Sequence, residues 1–200
     1  LNAIFEKIQG YRFGVQFSSF YMPGDFVSHV RMMKTDYEDT GLAQLFGMPF
    51  VVLRKPVPFD TTTLNFNWQV WDTKAFSLYS RSTEKIDKKG ADMAIAAVCR
   101  FLSRMNVLNY NVYGGYESTV LIEEELVSLR STASGLYIPH VKSFDSVERG
   151  QVLADIIDPL TGVTVAQTEA PEDGIVFFAK DSPLVMENET LFKIVNKLHK

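Results

Sequence analysis

An α/β unit followed by an all-β module is the fold class this sequence predicts, and three observations carry the prediction. Helical and strand-like hydrophobic periods alternate from the first residue to about Met105. From about Tyr110 onward the period switches to two. In the last third, short apolar runs are spaced by fixed turn residues: Gly150, Asp158-Pro159, Gly162 and Pro171-Glu172-Asp173-Gly174. The expected division is residues 1–109 for the α/β part and 110–200 for the β part.

The chain opens on Leu1-Ile4-Phe5-Ile8, the i, i+3, i+4, i+7 stripe of an amphipathic helix already under way, with no start methionine. These 200 residues are therefore expected to be the C-terminal portion of a longer chain. Gly10 ends that helix, and Phe13, Val15 and Phe17 alternate as a strand. Residues 19 to 40 show no sustained period and read as a polar loop. Thr40 is the expected N-cap of a short helix through Leu42, Leu45 and Phe46, stopped by Gly47 and Pro49. Phe50-Val51-Val52-Leu53 reads as a buried strand. Thr61-Thr62-Thr63 offers caps for a helix with Leu64, Trp68 and Trp71 on one core stripe, and Ala75 to Tyr79 forms the next strand. Asp87 is placed to cap the longest helix, with Ala94, Ile95, Val98, Phe101, Leu102 and Met105 along one side. Cys99 falls in the same stripe as a small core residue. This order predicts a largely parallel sheet covered by helices.

Totals narrow the function classes. With 46% apolar residues the chain can bury a substantial core. A formal charge of -4, with 20 scattered Lys and Arg, excludes a dedicated nucleic-acid binder, which needs clustered cations. The longest nearly apolar run, Leu45 to Leu53, is far short of the ~20 residues a membrane span requires, so a soluble protein without a membrane partner is expected. A single cysteine excludes an internal disulfide and fits a reducing, cytoplasmic setting.

In sheets of this kind ligands gather at the carboxyl ends of strands. Three such ends are expected to supply a site: Ser18-Ser19, Arg54-Lys55 and Tyr79-Ser80-Arg81.

The cadence of the last third resembles a barrel-sandwich hybrid, a module found in biotin or lipoate carriers and in one family of zinc deacylases. A carrier presents its lysine at a hairpin tip, usually beside methionine. Neither Lys142 nor Lys180 has that setting, and Lys180, before Asp181-Ser182-Pro183, reads as an ordinary loop charge. The order of parts resembles instead the succinylglutamate desuccinylase/aspartoacylase family, whose α/β domain is related to zinc carboxypeptidases. The resemblance rests on the tail, on Phe13-Gly14-Val15-Gln16-Phe17-Ser18-Ser19, on His29-Val30-Arg31, on Leu42-Ala43-Gln44-Leu45-Phe46-Gly47-Met48-Pro49 and on Lys74-Ala75-Phe76-Ser77-Leu78-Tyr79. It covers nearly the whole chain.

That resemblance implies a zinc ion held by an early His-x-x-Glu and a later His after Asp-Leu. A glutamate at a further strand end would act as base for the metal-bound water. Here the Asp-Leu-His tripeptide falls on Gln16-Phe17-Ser18, the base glutamate falls on Tyr79, and the early His-x-x-Glu is absent. A serine hydroxyl is a poor zinc ligand, Gln16 offers only a carbonyl in place of a carboxylate, and a phenol is poorly suited to accept a proton. No metal ligand is therefore assigned within the chain. The expected ligand-binding residues are Gln16, Ser18, His29, Tyr79 and Arg81, with Arg81 a candidate for gripping a carboxylate. His140 is expected in a loop and His199 in a solvated tail. Glu123-Glu124-Glu125 is expected as a solvated turn.

Two functions are expected. The full-length protein is a metal-dependent hydrolase of an N-acyl amino acid or related amide, its missing ligands lying upstream and these 200 residues alone inactive. Alternatively it is a non-catalytic homologue binding a small acidic or peptide-like ligand. A structural or interaction module is a third, blander reading. The oligomeric state is left open.

Overall fold

The computed structural model of the protein describes residues 2–20, 22–111 and 114–196. In chain order the elements are α1 (Asn2–Ile8), β1 (Phe13–Ser18), β2 (Asp25–Phe26), β3 (His29–Met33), α2 (Thr40–Gln44), β4 (Phe50–Arg54), α3 (Leu64–Val70), β5 (Lys74–Tyr79) and α4 (Lys88–Arg104). Then come β6 (Thr119–Ile122), β7 (Val127–Arg130), β8 (Gly135–Pro139), β9 (Ser146–Val147), β10 (Val152–Ile157), β11 (Thr164–Glu169), β12 (Gly174–Ala179), β13 (Leu184–Val185) and β14 (Thr190–Asn196). Two compact units result: residues 1–19, 28–80 and 87–124, and residues 20–27, 81–86 and 125–200. Beyond residue 109, β6 still belongs to the first sheet. None of the described helices is long and apolar enough to cross a membrane.

The first unit holds a five-stranded sheet in the order β1-β5-β3-β4-β6. Three of its ladders are parallel, β1 with β5, β3 with β4 and β4 with β6, while β3 and β5 run antiparallel. The sheet is thus mixed, and its two halves point opposite ways. One face carries Val30, Met32, Val51, Leu53, Phe76 and Leu78, packed with Ala94, Ala97 and Phe101 of α4 and with Phe46. Phe101 stacks on Phe46 at 4.3 Å and meets Phe13 edge-on at 5.4 Å. Gly47 ends the α2 segment at φ +62°, a conformation open to glycine at low cost. The buried Arg100 donates to the carbonyls of Phe46 and Gly47 there, at 2.9 and 3.4 Å.

Several local expectations change. Residues 19–40 contain β2 and the fully buried β3, because a strand covered on both faces shows no alternation for a period count to find. Asp39, not Thr40, caps α2, its Oδ1 accepting from the Leu42 amide at 3.0 Å. Thr63 caps α3 as expected, whereas the Asp87 side chain makes no capping bond on α4. Helix α3 buries Asn65 and Gln69, and Trp71 is exposed, since the sheet face beneath α3 is polar. Ile95 is exposed and Cys99 only half-buried, both on the solvent side of α4.

The second unit consists of two antiparallel sheets, β11-β10-β8-β13 and β2-β12-β14-β7, with β9 added to β12. Their shared core includes Tyr137, Leu153, Ile156, Val176, Val185, Leu191, Phe192 and Ile194. Strand β2, from residues 25 and 26, pairs with β12 here rather than with the first sheet.

Candidate functional site

Register decides which side chains of the first sheet share a face. In the parallel β1/β5 ladder Gln16 lies beside Ser77 and Ser18 beside Tyr79, while in the antiparallel β5/β3 ladder Tyr79 lies opposite His29 and Ser77 opposite Arg31. Side chains alternate along a strand, so Gln16, Ser18, Ser77, Tyr79, His29 and Arg31 stand on one face while Val15, Phe76, Leu78, Val30 and Met32 stand on the other. Ser18 and Tyr79 close that polar face at adjacent strand ends. Because β4 runs opposite to β1 and β5, its carboxyl end, Arg54-Lys55, lies at the other end of the sheet and contributes nothing here.

Helix α3 covers part of this face. Trp68 lies so close over Gly14 that a Cβ there would come within 2.5 Å of the indole. Asn65 and Gln16 both donate to the Ser77 hydroxyl, at 2.9 and 2.8 Å. Gln69 exchanges two hydrogen bonds of 2.9 Å with the Met33 backbone. Gln16 is therefore engaged through its amide nitrogen with Ser77.

At the end of β5 the Tyr79 ring lies on the imidazole of His29, centroids 5.0 Å apart and planes 2° from parallel. Its phenol oxygen accepts from Arg31 Nη1 at 3.3 Å, and the guanidinium carbon stands 5.4 Å from the ring centroid. The other arm of Arg31 is bound to the Glu123 carboxylate. Arg31 is on β3, across β5 from β1, so the phenol is drawn away from the strand that carries Ser18. His29, expected to reach a pocket, is wholly buried beneath this ring. Glu123, expected in a solvated turn, is mostly buried against Arg31. The sequence signal for this group is an arginine two residues after a histidine inside an apolar run.

Arg81 belongs to the second unit, where its guanidinium reaches both oxygens of Asp25 at 3.3 Å, and Asp25 also accepts from Ser143 at 2.6 Å. It is thus occupied by an internal carboxylate. His140, just past the end of β8, lies 2.8 Å from Asp155, which accepts from Gln167 at 2.8 Å on its other oxygen. Gln167 first, and then His140, hold the Asp155 carboxyl below its ordinary range. Lys180 is no loop charge but a buried ammonium paired to Glu189 at 2.5 Å. His199 lies outside the described residues. A surface hollow of about 230 Å³, lined by Asp92, Ile95, Ala96, Cys99 and Tyr110, sits on the outer side of α4 and touches none of the polar-face residues.

The two strand-end side chains, Ser18 and Tyr79, do not suit zinc. A metal ligand must offer an unprotonated lone pair. Ser18 is a neutral hydroxyl, and the Tyr79 oxygen already faces a fixed positive charge that would oppose a dication. Among the described residues no three His, Cys, Asp or Glu side chains are grouped to hold a metal.

No protein-family model and no curated protein matches this sequence. Solved structures do. The chain is similar to the product-bound ectoine utilization protein EutE (DoeB) from Ruegeria pomeroyi, at 14% identity and a TM-score of 0.72 over 90% of this chain and 56% of that one. It is also similar to a succinylglutamate desuccinylase/aspartoacylase from Rhodobacter sphaeroides, at 14% identity and a TM-score of 0.74 over 94% and 59%. A third is an aspartoacylase family protein from Mesorhizobium loti, at 16% identity and a TM-score of 0.66 over 93% and 57%. The chain thus spans 56% to 59% of the length of these proteins. At such identities the likeness establishes the fold.

Proposed function

The fold is that of succinylglutamate desuccinylase/aspartoacylase proteins, and from that premise we propose that this chain is a non-catalytic homologue of the family. Its Ser18/Tyr79 sheet edge binds a small acidic or peptide-like ligand. One observation carries the reading: where the family resemblance puts a general base, Tyr79 has its phenol oxygen on the Arg31 guanidinium. The phenol O–H is a hydrogen-bond donor, suited to a ligand carboxylate or amide carbonyl, and it brings no carboxylate with which to take a proton from water. The Ser18 hydroxyl supplies a second polar contact at the neighbouring strand end. In this reading the second unit is the family's barrel-sandwich hybrid, supported by its two antiparallel sheets around one core.

Calorimetric titration with N-acyl amino acids and the matching free acids tests this. Binding without turnover, insensitive to chelator and weakened about tenfold by Tyr79→Phe, is expected. Metal-dependent cleavage by the unmodified protein would overturn it. The second reading is a metal-dependent amide hydrolase whose ligands lie outside these residues; it draws on the fold shared with the product-bound ectoine utilization protein EutE. Stoichiometric zinc in the purified protein together with cleavage would establish it.

A further inference from the structure

The ladder between β1 and β5 leaves one side of β1 open. The Lys74 amide donates to the Arg12 carbonyl, and the two-residue repeat of a parallel pair then turns the backbone groups of Gly14, Gln16 and Ser18 toward β5. Those of Phe13, Val15 and Phe17 face away, and β1 is the last strand on that side of the sheet. The outward N–H and C=O groups of these three residues have no hydrogen-bond partner among the described residues. The usual devices that close a strand edge are missing from it: Phe13–Ser18 carries no charged residue and no proline, and its register with β5 runs without a bulge. Phe17, at the carboxyl end of this edge, is 65% exposed.

Resting on the reading above that the Ser18/Tyr79 sheet edge takes a peptide-like ligand, we infer that this ligand is an extended peptide, bound as an added β-strand along the free edge of β1. The edge selects its occupant by chemistry. An extended polypeptide backbone offers donors and acceptors at the repeat of about 6.6 Å that the outward groups of Phe13, Val15 and Phe17 require. A single acyl amino acid is too short to meet more than one such residue. Side chains then set the sequence preference. Phe17 stands on the same face as Val15, so an apolar peptide residue beside it covers the exposed ring. The next peptide residue stands beside Ser18 on the polar face, where the hydroxyl can donate to a carboxylate or amide oxygen. The ligand is thus an extended segment in which an acidic or amide residue adjoins an apolar one.

Anisotropy of a fluorescein-labelled short peptide that alternates valine with threonine and carries one aspartate tests this, together with amide hydrogen exchange of the unmodified protein. Phe17→Pro removes the outward N–H and the exposed ring while leaving the β5 ladder intact. Phe17→Lys keeps that N–H and places a charge on the edge, and Ile95→Lys on the solvent side of α4 is the control. Saturable binding below about 100 µM is expected, weakened at least about tenfold by either Phe17 variant and unchanged by the control. Bound peptide should slow exchange at the Phe13, Val15 and Phe17 amides at least about tenfold. No saturable binding, or binding that spares these amides and ignores both Phe17 variants, overturns the proposal. So does a concentration-dependent dimer that protects the same amides without peptide, which would give the edge to a second copy. Peptide binding lost with Phe17→Pro but untouched by Tyr79→Phe upholds the added strand and removes Tyr79 from the site. Binding of N-acyl amino acids that depends on Tyr79, with no peptide binding, upholds the earlier reading and overturns this one.

Discussion

The imidazole of His29 lies flat against the phenol ring of Tyr79, centroids 5.0 Å apart, and Arg31 two residues along β3 holds the phenol oxygen. Stacking fixes the ring plane while the guanidinium fixes the oxygen, so Tyr79 has one position rather than a choice of rotamers. The group nearest in register to Ser18 is thereby committed to the neighbouring strand.

Arg31 has the larger energetic role. Arg31→Met leaves the Glu123 carboxylate, mostly buried, without its cation, and a loss of about 3 kcal/mol is expected. Tyr79→Phe keeps the stack and removes one hydrogen bond, for about 1 kcal/mol. Urea unfolding of both variants checks the order; equal losses would show that Glu123 is stabilised by other groups.

Gly14 is required by the approach of Trp68. Gly14→Ala places a methyl about 2.5 Å from the indole, so α3 must move, at an expected cost of about 1–3 kcal/mol. Trp68→Leu in the same chain should recover part of that loss in thermal melts. A Gly14→Ala protein as stable as the parent would show that α3 shifts freely.

Tyr137 carries a buried hydroxyl for which the described structure offers no hydrogen-bond partner, and burial pushes its phenol well above the ordinary range. Removing an unsatisfied polar atom relieves a desolvation cost. Tyr137→Phe is therefore expected to leave the melting temperature unchanged or raise it. A fall of several degrees would reveal a hydrogen bond to water.

Glu189 shapes the acid limb. The Lys180 ammonium holds its carboxyl below the ordinary value of 4.5. A depressed folded-state value means the pair contributes stability above pH 4.5, lost as pH falls through that lower value. Glu189→Gln should flatten the decline of melting temperature below pH 4.5 and lower stability at pH 7, because the buried Lys180 loses its carboxylate partner. An unchanged acid limb would contradict the pairing.

Much of the architecture was legible in the chain. Turn residues such as Gly150 and Asp158-Pro159 marked the reversals around β10 and β11, and alternation in Phe13–Ser18 identified β1, because both signals act between residues close in sequence. Strand β3 was hidden, since His29 and Arg31 disguise a segment buried on both faces.

The sequence by itself determined where strands and turns fall and that a hydroxyl and a phenol occupy the two strand ends. Only the tertiary structure decided which way the phenol points. That choice rests on Arg31 and Glu123, 92 residues apart, whose charges must meet once the sheet excludes water from around them. Arg81, two residues from Tyr79 in the chain, belongs to the second unit and is held there by Asp25, 56 residues away, a pairing that leaves little trace in local sequence.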